Sequence, residues 1–169
     1  MSLPLMAEGE FALVRQHLEL AFKMTATAPV GSGVVVNEYD LCTLLADTAA
    51  QQRDAEALRR YAPLAEAMAQ RIDHPLYQAI AQRAWGVAHR LAGEYADAEA
   101  RLNRALEVFA GLETRWQIGR TRFELGELAQ ARNDTAAARD HFSRALAPFE
   151  ALQAAPDAAR ARAALESFA

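Results

Sequence analysis

The chain has 169 residues, 52% of them hydrophobic and 24% charged, with a formal net charge of −4. That is long enough for one domain with its own core, and too apolar for a disordered chain. The acidic balance runs against a general nucleic-acid binder, which concentrates basic charge to displace phosphate counterions. Cys42 is the only cysteine, which excludes an intramolecular disulfide or a cysteine-rich zinc site. It reads as a small buried apolar side chain.

In chain order, "MSLPLMAEGE" has neither a basic n-region nor a continuous apolar h-region, and no run of about 18 apolar residues follows anywhere. The expectation is a cytoplasmic protein with no membrane contact, and the first six residues are set aside from fold reasoning. Residues 8–25 carry an apolar stripe, Phe11, Val14, Leu18, Ala21 and Met24, at the three- and four-residue steps of one helical face. "TAPVGSGVVVN" at 27–37 reads as a long connector, because Pro29, Gly31 and Gly33 forbid a regular helix. Its Gly-Ser-Gly lacks the remaining positions of a phosphate loop.

Residues 38–77 form a first helix pair, with Asp54 capping its second helix. The next pair, 78–117, opens near Pro75, which suits a first helical turn with Asp73 or His74 as cap. Its first helix has the stripe Ala81, Ala84, Trp85, Ala88 and Leu91. Gly93-Glu94 is the break, since glycine readily takes the left-handed conformation that ends a helix. "AEARLNRALEVF" at 98–109 follows, with Ala98, Leu102, Ala105, Leu106 and Phe109 on one face. Thr114 and Gln117 have capping-box spacing at the start of the third pair, 118–157. There Asn133-Asp134 is the break, and "ARDHFSRALAPF" at 138–149 repeats the earlier phrase. Pro63 and Pro148 fall inside predicted helices, where proline costs about 3 kcal/mol, and predict a kink or an early end. Ala158, Ala161, Leu165 and Phe168 mark a capping helix over 156–168.

Shifting the sequence by forty residues pairs Gly86 with Gly126, Ala98 with Ala138, Ala105 with Ala145 and Phe109 with Phe149. Such self-similarity is the mark of a repeat architecture. Trp85-Gly86 and Leu125-Gly126 supply an L-G step, and Ala98 to Leu102 and Ala138 to Phe142 supply A-x₃-F, each twelve residues after its glycine. These motifs resemble the tetratricopeptide repeat, W-x₂-L-G-x₂-Y then A-x₃-F then P. Gln82 and Arg122 stand in the tryptophan place, His89 and Ala129 in the tyrosine place, and Ala110 and Glu150 in the final proline place. The forty-residue period is similar to the long repeats of bacterial signalling ATPases, adenylate cyclases and transcriptional activators. The resemblance implies an all-α fold, a right-handed α-α superhelix (solenoid) of antiparallel helix pairs. It also implies a concave wall of first helices that holds peptides or partner helices.

No sequence motif for catalysis, metal or cofactor emerges. His17, His74, His89 and His141 are isolated, without H-E-x-x-H spacing. Glu124 and Glu127 read as a solvated helix face with Arg120 as an ion-pair partner. The expected partner groove takes Arg83, Val87 and Arg90 from one first helix and Arg120, Phe123, Glu127 and Gln130 from the next. Tyr39 and Cys42 hold the corresponding places in the first pair. Arginine offers a planar fork to carboxylates, so an extended peptide or acidic segment suits such a wall. The expected function is a non-catalytic protein-interaction scaffold or sensor, with homodimerisation through the terminal helices also open. The alternative is a small-molecule effector receptor, to which Tyr39, Trp85, Trp116 and Phe123 would contribute.

Overall fold

The computed structural model describes residues 11–27 and 38–168. They form eight helices and no strand: α1 Phe11–Thr27, α2 Glu38–Gln52, α3 Ala55–Arg71, α4 Pro75–Ala92, α5 Tyr95–Gly111, α6 Arg115–Ala131, α7 Thr135–Ala151 and α8 Ala155–Glu166. Within each compact part of the chain, helices pack on their chain neighbours, the all-α arrangement of tetratricopeptide-like helix pairs. Beyond Thr27, the predicted 27–37 connector lies outside the described residues.

One turn recurs six times among the described residues. Arg53, Asp73, Gly93, Glu113, Asn133 and Gln153 all have positive φ, from 47° to 80°, at a spacing of twenty residues. At each, the left-handed residue's N–H bonds three residues back and the next N–H bonds five back. Gly93 to Arg90 O at 3.1 Å and Glu94 to His89 O at 2.9 Å are one instance. This paired pattern is a Schellman motif, which satisfies carbonyls that the helix end would otherwise orphan. The sequence shows a period of forty because side chains alternate between first and second helices. The backbone period is half of that.

Helix starts follow from the same geometry. Asp54 and Asp134 accept from the backbone N–H of Ala57 and Ala137 at 2.9 and 3.0 Å, each satisfying one orphan donor. The predicted capping box at Thr114 does not form. Thr114 sits at the cap position, but its hydroxyl donates to Phe109 O at 3.2 Å and makes no cap bond. The turn is already closed by Thr114 N–H on that carbonyl, so the hydroxyl is drawn backwards.

Neither proline ends its helix early. α3 runs on from Pro63 to Arg71, and α7 from Pro148 to Ala151. Pro63 and Arg59 are exposed, so water can reach the carbonyl whose partner is lost. Pro148 packs toward Gly119, where its Cγ lies 3.1 Å from the position a Cβ would take.

The chain divides into two compact units, Met1–Ala84 and Trp85–Ala169, the boundary falling within α4. In the first unit α1 packs on α2, and α2 on α3. Its core includes Val14, Leu45, Leu58 and Tyr61. Val14 and Leu18 of the α1 stripe are buried, whereas Met24 is 54% exposed. In the second unit α5 packs on α6, α6 on α7, and α7 on α8. Ala98, Leu102, Leu125 and Leu128 form one cluster there, and Phe123, Phe142, Phe149, Ala145 and Ala158 belong to another. Leu91 leaves the predicted α4 stripe and is exposed, since it stands two residues before the turn.

Glycine sets the closeness of these contacts. A Cβ at Gly86 would lie 2.6 Å from Leu102 Cγ, and one at Gly126 would lie 2.6 Å from the Phe142 ring. The twelve-residue echo between the L-G and A-x₃-F motifs is thus a physical contact: the absent side chain admits the large one four residues after the alanine.

Candidate functional site

The expected groove residues are placed very differently from one another. In the first unit Tyr39 is half-buried, with the Arg71 guanidinium 6.0 Å from its ring. Arg83 is only 1% exposed and pairs with Asp47 at 2.9 Å, joining α4 to α2. Cys42 is buried.

In the second unit Val87 is fully buried. Arg90 is half-buried and reaches Glu127 at 2.5 Å and Glu124 at 3.5 Å, joining α4 to α6. Glu124 is itself buried; it is not the solvated face expected from sequence, and Arg90 meets its carboxylate. Arg120 is buried, with its guanidinium 4.7 Å from the Trp116 ring. Phe123 is buried 5.1 Å from Phe142, and Arg160 of α8 lies 4.7 Å from its ring. Glu127 is half-buried and Gln130 is exposed.

The structure therefore brings Arg90 together with Glu127, uses Arg83 and Phe123 to pack one helix on another, and buries Val87 and Arg120. The buried pairs hold register, because a desolvated charge tolerates its position only with its partner in place. The residues of α6 that stay open to a ligand include Gln130, Glu127 in part, and Trp116 at 37% exposure. Trp116 Nε1 donates to Asp157 of α8 at 2.9 Å. Asp157 and Arg160 were missed in sequence because their role depends on a contact some forty residues away.

Ionisation follows the packing. His141 on α7 is held below its ordinary value by burial and then by Arg122, so it stays neutral near pH 7. Tyr77 is pushed up to about 12 by its hydrogen bond to Asp40 and by burial. Asp54 lies below the usual carboxylate range through the Ala57 N–H and Arg15.

Cavities among the described residues include two of differing lining. One of about 260 Å³, in the first unit, is lined by Arg15, Glu19, Asp54, Glu56, Arg60 and Tyr61 among others. The other, about 150 Å³ in the second unit, has Leu125, Leu128 and Ala137 with Glu99, Arg132 and His141 at its walls. At the turn between α4 and α5, His89, Glu94 and Asp97 place potential ligand atoms within 4.8 Å of one another. No described helix is long and apolar enough to cross a membrane.

Against known families, residues 77–151 match the model of the tetratricopeptide repeat. The search of curated proteins finds no match.

Proposed function

From the premise that residues 77–151 are a tetratricopeptide-repeat region, we propose that the chain is a scaffold or sensor of a signalling assembly. It binds a partner segment along the face of its first helices. Repeats of this family serve in general as interaction scaffolds and are typically non-catalytic. The observation that carries the finer reading is a contrast within the repeat. Packing positions recur after forty residues, as in Gly86 and Gly126 or Ala105 and Ala145, whereas the exposed Gln130 stands forty residues after Arg90 and repeats neither its identity nor its ion pair. A position freed from packing is where a partner can impose its own requirements.

Gln130, Glu127 and Trp116 offer hydrogen bonding, a carboxylate and an aromatic face. That mixture suits an extended or helical peptide better than a long acidic stretch, because the arginines already have acidic or aromatic neighbours. The receptor alternative draws less on these two cavities, since about 260 and about 150 Å³ are below the roughly 300–1,000 Å³ usual for small-molecule sites.

Peptides selected from a displayed random library against the wild-type chain provide the test. Gln130→Trp, at an exposed position, is expected to weaken the selected peptides at least tenfold with an unchanged melting temperature. Equal affinity would place binding elsewhere. If the same chain shifts in melting temperature with metabolites and selects no peptide, the receptor reading replaces this one.

A further inference from the structure

The turn between α4 and α5 shares its backbone with the other five turns but not its chemistry. In each, the five-residue-back bond ends on the backbone carbonyl of one residue of the preceding helix. Elsewhere that residue is Ala49, Ala69, Phe109, Ala129 or Phe149, all buried and apolar. Here it is His89, half-buried. The residue donating that bond is Glu94. Asp54 and Asp134, at the equivalent place, cap the N–H three residues on. Glu94 makes no such bond, and its carboxylate lies 2.6 Å from His89 Nδ1. Asp97, in the first turn of α5, completes the group, and all three offer ligand atoms within 4.8 Å of one another. The imidazole stacks on Trp85 at 5.5 Å, and the Arg101 guanidinium lies 5.7 Å from the Trp85 ring.

We propose that His89, Glu94 and Asp97 form a binding site for one divalent transition-metal ion of the zinc class. One imidazole nitrogen and two carboxylate oxygens are the donors that zinc and nickel accept, whereas calcium and magnesium prefer oxygen alone. Two carboxylates and a neutral imidazole balance the charge of a divalent ion. Metal–ligand distances of about 2.0–2.2 Å require the donors to draw together, which the exposed carboxylates can do by changing rotamer. Three protein ligands leave a fourth position to water. A search for paired ligands four residues apart passes over this set, because its spacing of five and three crosses a left-handed turn.

The test is calorimetric titration of the untagged full chain with Zn²⁺, Ni²⁺ and Mg²⁺. One Zn²⁺ per chain is expected at micromolar concentration, with Ni²⁺ competing and Mg²⁺ giving no heat. His89→Ala is expected to weaken Zn²⁺ at least tenfold and to abolish the Zn²⁺-induced rise in melting temperature. That variant should fold, since alanine already stands in this place at residues 49, 69 and 129. Glu94→Gln, which keeps the side-chain size, gives a second reading and should weaken Zn²⁺ as well. No Zn²⁺ binding, binding that both variants retain, or equal binding of Mg²⁺ would overturn the proposal.

Discussion

At the scale of single residues, the turns set a cost that the sequence meets unevenly. Five of the six left-handed positions are not glycine: Arg53, Asp73, Glu113, Asn133 and Gln153. Left-handed backbone costs an L-residue about 1–2 kcal/mol, less for asparagine and aspartate. Arg53 recovers part of this by donating to Ala50 O at 2.5 Å. Glu113→Gly should therefore stabilise the chain by about 0.5–1 kcal/mol in urea titrations, after the entropy glycine loses on folding. An unchanged or lower midpoint would mean that this turn is not left-handed. His141 gives a pH dependence with a fixed sign. Its folded value is depressed below 6.5, so below the ordinary value the unfolded chain takes up a proton that the folded chain refuses. Its contribution to stability is present above pH 6.5 and is lost as pH falls through the folded value. His141→Gln should reduce the difference in stability between pH 7.5 and 5.5, and an undiminished difference would place the cause in another group.

At the scale of elements, α6 and α7 show what a close approach depends on. Gly126→Ala would bring a methyl 2.6 Å from the Phe142 ring, and overpacking of this kind costs about 1–3 kcal/mol. A melting temperature as high as wild type would show that the helices do not meet there. This contact was legible in the sequence, through the forty-residue echo of glycine and A-x₃-F, because packing depends on side-chain size at fixed steps. So were Gly93 and Asp54, where one residue type has one strong local preference. Glu113 and Gln153 were not legible as turn residues, since nothing in their chemistry favours positive φ; the repeated backbone imposes it. The burial of Arg83 and Arg120 was also hidden. Arginine on a helix face reads as solvent-exposed: Asp47 is brought beside Arg83 from distant sequence, and Arg120 lies against Trp116 one turn back on its own helix.

At the scale of the whole molecule, repetition separates what holds the chain from what it can offer. The glycines and apolar residues that recur at forty, such as Gly86 and Gly126 or Phe109 and Phe149, are committed to packing, and several that vary, Arg83, Arg120 and Phe123 among them, are buried as well. Under the proposed reading this leaves Gln130 and Trp116 exposed in the second unit, with Glu127 and Arg90 partly accessible. Reversing the charge of Arg83 or Arg120 would remove a buried contact together with any partner contact, so an exposed position is the better probe. The most direct measurement is photocrosslinking in the native cell, with the reactive side chain placed at Gln130 or at Arg104, which is 71% exposed on the second helix α5. The account predicts that a discrete partner is captured from Gln130 and not from Arg104. Capture from Arg104 alone, or equally from both, would contradict a partner bound along the first helices.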